Sequence, residues 1–500
     1  MSAWKDFVTA ALLGTEKGMD PKLPTPLAGL LGAAAELDRE QRFLTHAGAF
    51  ALWRKTGAKP ATRTEVLAPA EEENRPLVTS AAASHLRTML NGTHREMLPE
   101  WLATVVSLKK RVPAELLPAL LEYSRKESAL RDLAVAAGGQ RANWLATHNP
   151  RWSFAAQEDP ELWETGTRDQ RLALLREFRA TAPAEARAKV ETVWTEEPAD
   201  IRAAFLAQLA GHLSEEDIPF LEAALDDRSK EVHREAVELL AQLPSSPFSV
   251  RMLERAKPLL TFKKGRLIAR ASLEVALPDA SDEAALRDGI NPKEFGKQKE
   301  FGEKAAALVL ILGAVPLSHW TRTFEQTPEA LLKAVGKSEF ASAVATGWAL
   351  AAVRQRDPDW AAALLDGEPE LNPNFANAHS LFSVLPGASR VERIRAALRT
   401  SAIQSGDVEA WQSLTAHLGT LTGEWPVPLA RDLVAALRKI YDSGKVPWQV
   451  HGVLQLLPRS LPPSLLAEAA TGWPEDQYGT PALVESITFR QAALSALSQS

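Results

Sequence analysis

Five hundred residues exceed the size at which a single hydrophobic core stops growing, so the chain is expected to divide into domains or to extend as repeats. With 57 Lys and Arg against 63 Asp and Glu, the formal net charge of −6 argues against broad electrostatic attraction to nucleic acid or anionic lipid. The absence of cysteine excludes disulfides, thiolate nucleophiles and cysteine-ligated zinc or iron–sulfur centres, and it suits a reducing, cytoplasmic setting.

At the N-terminus, the apolar run Phe7 to Leu13 follows Lys5 and Asp6, lacks a small-residue cleavage site and reads as a helix. The Gly14 to Gly18 stretch lacks the GxxxxGK[ST] spacing of a phosphate loop and reads as a turn. Asp38 to Lys55 carries Phe43, Ala47, Phe50 and Leu52 at helical spacing before Gly57. Ala58 to Pro76, with Pro60, Pro69 and the carboxylate run Glu71 to Glu73, reads as an exposed linker with that run solvated. A boundary is therefore placed near residue 70, and 71–160 is a helical region with short helices at Ala81 to Leu90, Pro99 to Leu108 and Ala114 to Ser124.

Across 161–256, three segments align at an offset of 31 positions. Gln170, Ile201 and Val232 correspond, as do Leu174, Phe205 and Ala236; Leu175, Leu206 and Val237; and Phe178, Leu209 and Leu240. Arg171, Arg202 and His233 lie beside these apolar sets. Partner helices fall between them, with Ala186, Val190, Val193 and Trp194 on one and Ile218, Leu221 and Leu225 on the other. Ser214 and Asp217 have capping-box spacing. A two-helix unit cannot cover its own apolar face, so neighbouring units must stack. Leu225 to Val232, followed by Ala236, Leu239 and Leu240, resembles the HEAT repeat motif. The fold expectation is all-α: a HEAT-like α-solenoid of stacked helical pairs with irregular helical flanks. On this register Leu206→Asp is severely destabilising, because it buries an unpaired carboxylate, and Arg202→Ala is mild.

The register breaks after Pro258, and 257–304 reads as a basic stretch followed by a loop-rich insert. Helices resume in 305–500, where seven or eight are expected between prolines; Thr327-Pro328-Glu329 and Asp357-Pro358-Asp359 look like helix starts. The apolar run Ala305 to Leu312 falls well short of the roughly 20 residues needed to cross a bilayer. No membrane span is expected.

No chemistry-bearing motif stands out. There is no GxSxG elbow and no HExxH, and the closest pair of histidines, His85 and His94, lacks a helical ligand register. No catalytic residue, cofactor or metal site is expected. Trp163, Trp194, Trp348, Trp360 and Trp411 lie on apolar stripes and read as packing residues. Two segments are candidates for partner binding: the basic stretch with Lys263, Lys264, Arg266 and Arg270, and the near-tandem Phe-Gly units at Phe295 and Phe301. Two functions are weighed. The first is a non-catalytic scaffold or adaptor for protein partners. The second is a HEAT-like nucleic-acid enzyme such as a DNA glycosylase, whose basic groove the lysines would help to form; the overall acidity weighs against it.

Ala10 to Glu16, and Gly302-Glu303-Lys304-Ala305 with Pro316, Leu317 and Trp320, resemble the signatures of an uncharacterised bacterial domain-of-unknown-function family of HEAT-like helical proteins. Lys17 stands where that pattern has arginine. Members are often encoded beside MoxR-type AAA+ ATPases, von Willebrand factor A domain proteins and SWIM zinc-finger proteins. The resemblance implies such an ATPase or von Willebrand factor A domain protein as partner, and it transfers no catalytic residue.

Overall fold

A computed structural model describes residues 2–14, 21–56, 67–155, 162–265, 271–279, 282–295, 301–336, 338–367, 375–474 and 476–499. The chain divides into two compact units, Met1–Ala70 and Glu71–Ser500. The fold is all-α: apart from one two-stranded hairpin and a single bridge between Leu77 and Arg111, the described regular structure is helical.

In the first unit, α1 (Ser2–Leu13), α2 (Thr25–Leu30) and α3 (Arg39–Thr56) meet on Phe7, Leu27 and Phe50. Phe7 stacks on Phe50 with ring centroids 5.5 Å apart, and Phe43 and Ala47 pack beside them on the same face of α3.

The second unit opens with α4 (Ser80–Leu90), α5 (Leu98–Ser107), α6 (Leu117–Lys126), α7 (Arg131–Gly138) and α8 (Gln140–His148), packed around Leu86, Trp101, Leu102 and Leu120. Thr79 caps α4 by accepting from the Ala82 N–H. Glu73 is not part of a solvated run. Its carboxylate is held by Arg75 at 2.8 Å and accepts from the Gln140 N–H, which brings its pKa down to about 2.

The 31-residue register falls on α10 (Arg168–Thr181), α12 (Ala199–Leu209) and α14 (Lys230–Leu240), preceded by α9 (Leu162–Thr165) and separated by α11 (Pro183–Val193) and α13 (Ile218–Ala224). α10 packs on α11 and α12, and α12 and α13 pack on α14. Leu175 and Leu206 are fully buried, while Val237 is half-buried against the main core. The polar positions are not solvent-facing bystanders. Arg171 lies over Trp163 at 5.0 Å and pairs with Glu197 at 2.6 Å. One register step later, Arg202 lies over Trp194 at 5.6 Å and grips Asp227 through two hydrogen bonds of 3.0 and 2.8 Å. Arg202 also donates to the Glu197 carbonyl at 2.7 Å. A Trp–Arg–carboxylate unit thus occurs twice at the 31-residue offset, and Arg202, whose loss was expected to be mild, is engaged by both a ring and a carboxylate. A planar guanidinium suits this role because one face stacks on an aromatic ring while its edge forks onto a carboxylate.

α15 (Pro247–Ala256) leads into β1 (Leu260–Lys263), which pairs antiparallel with β2 (Ser272–Val275) in the register Leu260 to Val275 and Phe262 to Leu273. The short helices α16 (Glu283–Arg287) and α17 (Pro292–Phe295) follow. The hairpin begins within the basic stretch and ends before the loop-rich insert, read from Leu277, where α16 and α17 are the described helical turns.

From α18 (Glu303–Leu312) the chain continues through α19 (Leu317–Phe324), α20 (Pro328–Val335), α21 (Ala341–Gln355), α22 (Pro358–Leu365), α23 (Phe375–Val384) and α24 (Gly387–Leu398). It ends with α25 (Ser401–Ser405), α26 (Val408–Gly419), α27 (Val427–Asp442), α28 (Val450–Ser460), α29 (Leu466–Ala469) and α30 (Thr480–Ser498). Thr327 and Asp357 cap α20 and α22 with proline in the first turn, as their local sequences predict. The helices outnumber the seven or eight expected because several, such as α25 and α29, are too short to show a 3.6-residue period. The apolar run in α18 is core: Ala306 to Val309, Ile311 and Leu312 are buried. Among the described residues no single helix is long and apolar enough to cross a membrane.

The last helix returns to the beginning of the unit. α30 packs on α28 and α29 on one side and on α4 and α5 on the other. Its Leu483 and Ile487 belong to the main core, whereas Ala493, Ala496 and Leu497 belong to the core of α4–α7. Thr79 donates to the Ala496 carbonyl at 3.0 Å and Lys110 to the Leu497 carbonyl at 2.8 Å. Arg490, 1% exposed, grips Glu100 with two bonds of 2.6 Å and donates to the Pro458 carbonyl at 2.8 Å.

Candidate functional site

The hairpin turns Leu260, Phe262, Leu273 and Val275 toward the core, where Phe262 stacks on Phe324 at 5.7 Å. Its outer face carries Thr261, Lys263, Ser272 and Glu274, as the period of two requires. Lys263 pairs with Glu274 of the neighbouring strand, Lys264 with Glu325 at 3.1 Å, and Lys257 with Glu254. Each described lysine of the basic stretch thus has a carboxylate beside it. Arg266 and Arg270 lie outside the described residues. Phe295 closes α17, but its side chain lies outside the described ones; Phe301 is half-buried and packs against the main core.

The segment after β2 is fastened by a network that no local pattern signals. Asp288 is 1% exposed and is held by Arg251, with bonds of 3.0 and 2.7 Å, and by Arg255. Arg287 pairs with Asp226 at 2.6 Å, and its carbonyl oxygen lies 2.7 Å from His233 Nε2. These partners are tens of residues apart in sequence, and the network explains why the insert sits down on the α13–α15 layers.

A groove of about 900 Å³ runs along α28 where α30 meets the early helices. His451 lies 4.7 Å from Tyr478, and Arg490 reaches the Pro458 carbonyl, so α28 and α30 run side by side in the same direction. From Trp448 to Arg459, at 1.5 Å per residue, the groove is roughly 16 Å long. Its first end is aromatic: Trp448 is 75% exposed and Tyr478 83%, with His451 between them. Leu454, Ala482 and Leu483 line the middle, and Glu96, Arg459 and Ser486 line the far end. Gly479, at φ +90°, passes so close that a Cβ would lie 2.9 Å from Leu454 Cδ1. Behind the far end, His94 stacks on Phe489 at 4.3 Å and lies 3.8 Å from Glu96 and 3.7 Å from Glu485.

His451 Nδ1 lies 2.7 Å from the Trp448 carbonyl, which can only accept, so Nδ1 donates there. The Nε2 of the same ring is buried and has no partner among the described residues.

The model of a family of unknown function, DUF5691, matches residues 6–497, nearly the full length. The chain belongs to DUF5691. No curated protein and no solved structure matches it. The site in this DUF5691 member rests on its geometry. Trp448, Tyr478 and Glu96 drew no notice in the sequence. The only available signal was that Trp448 and Tyr478 stand among Pro447, Pro474 and Gly479 rather than on a helical apolar stripe.

Proposed function

We propose that this DUF5691 chain is a non-catalytic scaffold of HEAT-like stacked helical pairs that binds protein partners, serving a MoxR-type AAA+ ATPase system. The observation that carries the reading is the Trp–Arg–carboxylate ladder of Trp163, Arg171 and Glu197, then Trp194, Arg202 and Asp227. Two such units at the same 31-residue offset are what stacked helical pairs would produce, and stacked pairs offer a partner a continuous surface. The aromatic groove along α28 supports the same reading, since exposed Trp and Tyr rings are the side chains that most often anchor protein partners. The nucleic-acid alternative draws no support from Lys263 and Lys264, which are paired with carboxylates.

The test is purification of the tagged full chain from its native host after mild crosslinking. An AAA+ ATPase recovered in fixed proportion and co-eluting in gel filtration is the expected result. A chain that elutes alone as a monomer, crosslinked or not, overturns the scaffold reading.

A further inference from the structure

The groove along α28 has features that select among occupants. The aromatic end offers three adjacent rings, Trp448, His451 and Tyr478, two of them largely exposed and both of those carrying a side-chain donor. At the other end Glu96 lines the wall, and Glu485, 71% exposed at its side chain, stands across His94 from it. Arg459 lines this end as well and is suited to a backbone carbonyl.

We propose that the groove binds an extended, proline-containing segment of a partner protein that ends in a basic residue. A polyproline II segment rises about 3.1 Å per residue, so a groove of roughly 16 Å takes about five residues. Its prolines present flat, rigid rings to aromatic faces, and its backbone carbonyls, which make no internal hydrogen bonds, accept from the Trp448 indole N–H, the Tyr478 hydroxyl and Arg459. The basic side chain lies against Glu96 and Glu485, which sets the direction of the segment. A helical occupant matches these features less well, because its backbone groups are already paired and leave the wall donors unused. This rests on the scaffold reading and names the chemistry of its partner.

The experiment is fluorescence anisotropy of the full chain with a labelled synthetic peptide, Ala-Pro-Pro-Ala-Pro-Pro-Ala-Arg-Lys. Its controls are the same peptide with alanine for every proline, and with glutamate for both basic residues. Saturable binding of the first peptide alone is expected. Trp448→Ala/Tyr478→Ala should weaken it at least about tenfold while melting like wild type, since both rings are exposed. Glu96→Gln should weaken it about threefold. Equal binding of the alanine peptide overturns the polyproline assignment, and equal binding of the glutamate peptide overturns the role of Glu96. No saturation at millimolar peptide, or unchanged affinity in the double variant, overturns the site. If the peptide fails while the native ATPase is still recovered, the occupant is wrong and the scaffold stands; loss of both removes the scaffold as well.

Discussion

Arg179 has its guanidinium donors directed at the Leu209, Gly211 and His212 carbonyls that α12 leaves open at its end, at the Pro183 carbonyl, and at both oxygens of Asp217. Arg179 is 1% exposed and Asp217 0%, so removing Arg179 leaves Asp217 buried with only Arg187, at 3.1 Å, to balance its charge. Arg179→Met is expected to lower unfolding free energy by about 3–5 kcal/mol in urea titrations, and Arg179→Lys should not restore it because the fork is lost. Arg202→Ala removes a half-buried bidentate pair and should cost about 1–3 kcal/mol; a melt identical to wild type would mean that the ladder adds nothing. His417 supplies a pH test. Burial first, then His379 and Arg393, hold its pKa near about 4 while it stacks 3.9 Å from Phe382. The unfolded chain binds this proton near the ordinary value of about 6.5, so the stability contributed by neutral His417 is complete above pH 6.5 and is lost as pH falls toward 4. Urea stability measured at pH 7, 6 and 5 should fall less steeply in His417→Phe than in wild type; parallel curves would reject the assignment. Glu73 acts at lower pH, its contribution being lost only as pH falls from 4.5 toward 2.

At the scale of elements, α18 and α21 approach more closely than ordinary side chains allow. A Cβ on Gly347 would lie 2.7 Å from Leu312 Cβ and 3.2 Å from the Val309 carbonyl oxygen. Two effects oppose each other in Gly347→Ala: helix propensity favours alanine by about 1 kcal/mol, whereas overpacking a tight contact costs about 1–3 kcal/mol. The clash involves backbone and a Cβ, which cannot swing away, so a net loss of stability is expected in thermal melts. A gain would show that the two helices can separate freely. The hairpin shows the opposite dependence. Four-residue strands are marginal by themselves, and β1 and β2 persist because Phe262 continues a stack through Phe324 to Trp320.

For the second unit as a whole, the decisive contact is the return of α30 to α4 and α5. Arg490 and Glu100 pair across it from 390 positions apart. Arg490→Met should loosen both sides together: backbone hydrogen exchange in α4, α5 and α30 is expected to rise by roughly a hundredfold while α10–α14 stay protected. Faster exchange confined to α30 would mean that the early helices hold without it. The groove depends on the same return, since its walls come from α28, the start of α30 and Glu96 just before α5.

The all-α class and the helix starts were legible because they rest on chemistry within a few residues. Thr327 accepts from the Ala330 N–H three positions on, and Asp357 does the same for Trp360. The 31-residue register was legible because Leu175 and Leu206 are both fully buried, and a buried face records itself in the apolar spacing. Pairing between polar side chains was not. Nothing local in the sequence pairs Arg202 with Asp227, and the basic stretch with Lys263 and Lys264 gives no sign of Glu274 and Glu325, which lie against them in the fold. The groove of Glu96, Trp448 and Tyr478 exists only because the chain returns on itself. Apolar periodicity records that a face is buried; what covers it, and which charge lies opposite, follows from many small helix rotations summed along the chain, and only the tertiary structure fixes that sum.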